Sequence, residues 1–335
     1  MRTQIVSAAI SAVIALGLAE LGARLLAHDA FPYLNVYVTD ARYGVRLAPS
    51  TTTRTRSRLG RITTITTNSR GFRGPEPTQG GVFVLGDSQM LGYGVDLEDA
   101  TFSRLGASAI ATPTWGPIEF ARAVEDLAPE LHPRALVFVA NLANDWPESN
   151  VENVRRNQSE DGWVVARRPF DPLRFPGRDW LMSRSQLVFA ARAVHALGNR
   201  PIEPSPADRL LLDLPMLARP RGDHRSLVTP HLARVIAACD CLVIAAVLPL
   251  DVEVDAEAWK KYASTPHDLA PLDALREAFL TDAVELGATP LDLRTVLGPG
   301  SFLPDDVHLS PTGHAAIASA LATALDRPLA QGELR

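Results

Sequence analysis

Hydrophobic residues follow three successive patterns along this chain. Across residues 5–26 they run almost unbroken, with Glu20 and Arg24 the only charges and Arg2 ahead of them. A helix of that length covers about 30 Å, the thickness of a bilayer's hydrocarbon core. The pattern predicts a signal anchor or a signal peptide over residues 1–28, the peptide being cut near Ala15-Leu16-Gly17. A plain amphipathic or buried helix is the third reading. Either membrane reading keeps the amino end inside and exports the rest of the chain, anchored or secreted. Glu20 and Arg24 lie four apart and would share a helix face near the interface.

Residues 29–80 are more polar and predict a β-rich lead-in. Within it the Thr- and Arg-rich stretch 51–67 has apolar positions at Ile62 and Ile65, the pattern of a surface hairpin around Arg58-Leu59-Gly60. After Thr78-Gln79-Gly80-Gly81 short apolar runs appear at 82–85, 108–111, 136–140, 242–248 and 289–293, each strand-like. Helical patterns at 118–127, 187–197, 232–239 and 272–286 lie between them. Strands alternating with helices predict one α/β domain over 81–330, a three-layer doubly wound sheet of mostly parallel strands, with ligands at the carboxyl ends of the strands. Residues 146–230 break the alternation: a helix near Phe189 is followed by six prolines from Pro201 to Pro230. They read as a helical or irregular insertion that caps the sheet edge.

Composition removes several classes. A hydrophobic fraction of 46% with a net charge of only -5 excludes global disorder. With 38 acidic against 33 basic residues there is no basic field for nucleic acid. Cys239 and Cys241, one residue apart, cannot staple distant loops, and they lack the neighbours that would complete a zinc site.

Three strand ends carry chemistry. Gly86-Asp87-Ser88 follows the run 82–85, which puts the Ser88 hydroxyl at a strand's carboxyl end and near the positive end of the next helix. Asn144-Asp145 follows the run 136–140, where an asparagine amide can face a developing oxyanion. Asp305-Asp306-Val307-His308 precedes a helix started by Ser310-Pro311. There Asp305 can hold Nδ1 of His308 and leave Nε2 to take a proton from serine. Each of these also reads as an ordinary turn when taken alone, and His314 reads as a packing or capping residue. Trp115, Trp146, Trp163 and Trp180 are either packing residues or an aromatic sugar-binding rim.

Together the three blocks resemble the SGNH, or GDSL-type, hydrolases over about residues 82–325. Asn68-Ser69-Arg70-Gly71-Phe72-Arg73-Gly74 looks like the lead-in of bacterial members with an N-terminal membrane segment. The resemblance implies a flavodoxin-like fold, an ester-cleaving activity with no metal or organic cofactor, and a small-molecule or polysaccharide ester as partner. It makes Ser88 the nucleophile, His308 the base and Asp305 its orienting group. The oxyanion donors would be the Ser88 N–H, the Asn144 side chain and the N–H of Thr114, with Gly116 as the alternative. Leu142 and Thr114 stand where the family usually has glycine. A polysaccharide O-acyltransferase using the same site and a non-catalytic envelope scaffold are the alternatives.

Overall fold

The computed structural model describes residues 2–57, 59–168, 175–198 and 204–326. Its centre is a parallel sheet of five strands: β5 (Val82–Gly86), β6 (Ser108–Ala111), β7 (Ala135–Asn141), β10 (Leu242–Leu248) and β11 (Thr289–Asp292). Their order is β11-β10-β7-β5-β6. Counted by appearance within this sheet that is 2-1-3-4-5, the flavodoxin-like order, whose switch point lies between its first and third strands. Here those are β5 and β7.

The continuous apolar runs follow from burial on both faces. Phe83, Leu85, Leu136, Phe138, Val243 and Ala245 face one core, whereas Val82, Val84, Val137, Val139, Ile244 and Ala246 face the other. Helices Pro117–Leu131, Thr229–Ala237 and Asp273–Glu285 close the first core through Phe120, Leu232 and Phe279. Helix Pro311–Asp326 closes the second through Ile317 and Leu321. His314 packs on that side, its Nδ1 2.8 Å from Thr101 Oγ1, and burial pulls its pKa down to about 3, so it stays neutral.

The lead-in consists of two antiparallel pairs, β1 (Tyr37–Asp40) with β2 (Gly44–Leu47) and β3 (Thr52–Arg56) with β4 (Ile62–Thr66). Arg58, at the predicted turn of the second pair, lies outside the described residues. Arg73 ties this region to the sheet. Its buried guanidinium donates to the carbonyls of Thr64, Leu91, Gly92 and Val95 at 3.1, 3.2, 2.5 and 2.9 Å. Burial pushes its pKa down to about 10, so it remains charged at neutral pH. Arg73→Met would leave these carbonyls without their donor. At about 1–3 kcal/mol for each unsatisfied buried group, the variant should lose about 3 kcal/mol or more of stability in a urea titration.

The insertion departs from a purely helical or irregular segment. It contains a hairpin, β8 (Asn157–Glu160) with β9 (Trp163–Ala166), beside helices Arg178–Met182, Gln186–Gly198 and Pro206–Leu217. The hairpin packs on the lead-in: Tyr37 N donates to Gly162 O at 3.2 Å and Ser159 Oγ to Tyr37 O at 2.7 Å. Cys239 and Cys241 form a disulfide with each other just ahead of β10. The helix Arg2–Leu26 is long and apolar enough to cross a membrane by length and composition, with a mean hydropathy of 2.0 in an 18-residue window.

Candidate active site

Ser88 leaves β5 through a sharp turn. A Cβ on Gly86 would lie 2.5 Å from Met90 Cγ, so glycine lets the chain fold back over itself. Asp87 caps the helix Ser88–Leu91, its Oδ1 accepting the Gln89 N–H at 2.8 Å. That helix is a single turn, so the long helix dipole expected at Ser88 is absent. What Ser88 has is its own N–H, which finds no acceptor within the protein among the described residues.

The histidine comes from the loop ahead of helix Pro311–Asp326. Its Nε2 lies 2.9 Å from Ser88 Oγ, and its Nδ1 lies 2.9 Å from Oδ1 of Asp306. The expectation for Asp305 is therefore corrected. Leu303 N donates to His308 O at 2.7 Å, which closes residues 304–307 into a tight loop. Asp305 faces away from the ring in that loop, and its Oδ2 accepts the Leu59 N–H at 3.0 Å.

Two side chains that the sequence did not single out hold this loop. Gln89, buried beside Ser88, donates from Nε2 to Val307 O at 3.0 Å and accepts the Leu309 N–H on Oε1 at 2.9 Å. Its amide thus bridges both neighbours of His308 and sets the distance from the ring to Ser88. Lys261 Nζ donates at 3.0 Å both to Asp306 O and to Asp251 Oδ2. Burial alone would lower the His308 pKa, but the Asp306 carboxylate, by charge and hydrogen bond, and the charge of Asp87 outweigh it and raise it above 6.5. The ring of Tyr93 covers the imidazole at 4.8 Å.

The loops after β6 and β7, the strands on either side of β5, carry the other expected oxyanion donors. Thr114 has φ +73°, the left-handed conformation that glycine adopts at no cost, and its N–H has no acceptor among the described residues. Gly116 is different: its N–H already donates to Glu119 Oε2 at 3.2 Å at the start of helix Pro117–Leu131. That corrects its role as the alternative donor. Its lack of a side chain matters for packing instead, because a Cβ there would sit 3.0 Å from Glu148 Cβ.

Asn144 begins the short helix Asp145–Glu148, and its Nδ2 donates to Glu148 Oε2 at 3.3 Å. Asn141, also missed, joins the two loops at the switch point. Its Nδ2 donates to Asp87 Oδ2 at 2.9 Å and its N–H to Asp145 Oδ2 at 2.7 Å. Burial pushes Asp145 well above the usual carboxylate range, helped by the charges of Asp87 and Glu148. Burial likewise pushes Glu148 up to about 7, against the pull of Arg156 2.6 Å away. Leu142, expected from the resemblance at a glycine position, is a buried core residue.

The aromatic residues form no common rim. Trp115 and Trp146 are buried, Trp163 packs on Tyr33 and Phe189, and Trp180 is 64% exposed.

The sequence matches no protein-family model and no curated protein. Among solved structures it is similar to TesA, with 10% identity and a TM-score of 0.40 over 73% of this chain and 97% of that one. It is also similar to a carbohydrate acetylesterase family member from Sinorhizobium meliloti, with 14% identity and a TM-score of 0.34 over 73% and 97%. A third is a GDSL-like lipase from Bacteroides thetaiotaomicron, with 10% identity and a TM-score of 0.36 over 73% and 87%. By its own sheet order the chain is a doubly wound α/β protein, and the solved structures it is similar to include a carbohydrate acetylesterase family member and a GDSL-like lipase.

Proposed function

We propose that the protein is a serine esterase that cleaves acyl groups from an envelope or extracellular carbohydrate or lipid through an acyl-Ser88 intermediate. The observation that carries this reading is the line from Ser88 Oγ through the His308 ring to Asp306, with 2.9 Å at each step. His308 Nε2 takes the hydroxyl proton as Ser88 Oγ attacks the ester carbonyl, and Asp306 stabilises the imidazolium that forms. The carbonyl oxygen becomes an oxyanion beside the Ser88 N–H, the Thr114 N–H and the Asn144 amide. Collapse breaks the bond to the alcohol, which leaves with the proton from His308. Water, deprotonated by His308, then attacks the acyl carbon, and the carboxylic acid departs as the proton returns to Ser88.

Ser88 and His308 are both partly exposed, so water can reach the acyl-enzyme. This favours hydrolysis over transfer to a sugar. The apolar N-terminal helix supports an envelope location, crossing the inner membrane with the catalytic domain in the periplasm, or directing secretion if it is cleaved.

A fluorophosphonate probe tests the nucleophile directly. Peptide mapping of the folded protein should find one adduct, on Ser88. Folded protein with an unlabelled Ser88 would defeat the proposal and leave a binding scaffold. Supplying an oligosaccharide with the ester and finding acylated sugar in place of free acid would show transfer.

A further inference from the structure

The end of the N-terminal helix grips the insertion through polar contacts. Glu20 Oε1 accepts the Gln186 N–H at 2.9 Å, and Oε2 accepts the Leu187 N–H at 3.1 Å and Ser185 Oγ–H at 2.9 Å. The two amides open helix Gln186–Gly198, and Ser185 stands just ahead of it. Arg24 pairs with Glu20 at 2.9 Å and donates to Arg184 O. The Arg184 guanidinium in turn lies 5.1 Å from the centre of the Trp180 ring.

This fixes a depth. Glu20 lies six residues before Leu26, about 9 Å along the helix axis at 1.5 Å per residue. If the helix crosses a bilayer with Arg2 at the inner interface, Glu20 is 18 residues further on, about 27 Å along the axis and close to the core's ~30 Å, so whatever binds Glu20 and Arg24 sits at the outer headgroup layer. The segment held there suits that layer. Trp180 is 64% exposed, Leu181 51% and Phe175 49%. Trp and Arg are the side chains whose mixed character favours the interface.

Basic groups lie at the same level. Arg54 and Arg56 donate at 2.6 Å to the carbonyls of His28 and Ala27, just past the helix end. Arg54 also lines an open cleft with Arg24, Leu25, His28, Asp29 and Ile62. Arg54 and Arg184 face solvent with no carboxylate in ion-pair range among the described residues.

We infer that residues 175–184, clamped by Glu20 and Arg24, form a membrane-seating surface. Phe175, Trp180 and Leu181 enter the interface of an anionic bilayer, while Arg54 and Arg184 meet its phosphates. The inference rests on the reading of the N-terminal helix as membrane-spanning. It goes further, because it places a face of the folded domain in the lipid and so limits the domain's freedom to tumble on its tether.

The full-length protein in phosphatidylglycerol-containing vesicles tests this, with lipids brominated near the headgroup end of the acyl chains as the contact probe. Wild-type tryptophan emission should be quenched by up to the share of one tryptophan in five, and Trp180→Phe should abolish that quenching. Because Trp180 is exposed, the variant should unfold in urea at the wild-type midpoint. Alkaline carbonate extraction of the same vesicles reports separately on the span. Protein that resists extraction but shows no quenching from Trp180 overturns the seating surface and leaves the span intact. Protein released by carbonate overturns the span, and the seating surface with it.

Discussion

Ser88→Ala should reduce kcat/KM for a short acyl ester by about 10⁴-fold or more, at roughly 1.4 kcal/mol of lost transition-state stabilisation per decade. The loss should stop short of the uncatalysed rate. The variant keeps the Ser88 backbone N–H, the Thr114 N–H and the Asn144 amide, and such donors each contribute about 10²–10³ to attack on the carbonyl. His308 also remains, able to act on a water in the space the hydroxyl leaves. The effect belongs to chemistry and not to folding, because among the described residues the Ser88 hydroxyl has one side-chain partner, His308, and Asp87 still caps the turn. KM should change little and the unfolding midpoint should stay within a few degrees. A variant with near wild-type kcat/KM would remove Ser88 from the reaction.

How much of this was legible in the sequence depends on whether a feature is local. The strands of the central sheet were readable because burial on both faces makes each a continuous apolar run, as at Val82–Gly86 and Leu242–Leu248. The hairpin β8–β9 was missed although its turn was written in Asp161-Gly162, both with positive φ (54° and 75°), the pairing that favours a two-residue turn. Its first arm, Asn-Gln-Ser-Glu, has no apolar alternation to mark a strand. It is held instead by contacts to the lead-in more than a hundred residues earlier. Gln89 and Asn141 were silent for a similar reason. Each earns its place by bonding across the site, to residues 307 and 309 or to Asp87, and no spacing along the chain announces such a partner. Thr114 shows the reverse: a residue with a branched side chain adopts the left-handed backbone conformation that suits glycine.

Asp306→Asn should lower kcat by about 10²–10⁴-fold, whereas Asp305→Asn should leave it within about twofold of wild type. Sequence spacing cannot separate the two, since both aspartates stand a few residues ahead of His308. The loop separates them: Asp306 meets Nδ1, and Asp305 meets the backbone of Leu59. An asparagine at 306 can offer its NH2 to Nδ1, which stabilises the tautomer with the proton on Nε2, and that tautomer cannot accept the Ser88 proton. The pH profile adds a signature that a loosened loop would not produce. His308 must be neutral to act as base, and its pKa is raised, so wild-type activity should fall as pH drops through a value above 6.5. Asp306→Asn removes the main cause of the rise while burial, which acts the other way, remains. The residual activity should therefore lose its acid limb at lower pH than wild type, and Asp305→Asn should keep the wild-type limb. The same charge pair contributes stability fully below the unfolded-state value of about 6.5 and loses it as pH rises through the folded value. Equal acid limbs for wild type and Asp306→Asn, or a large loss in Asp305→Asn, would return the orienting role to Asp305.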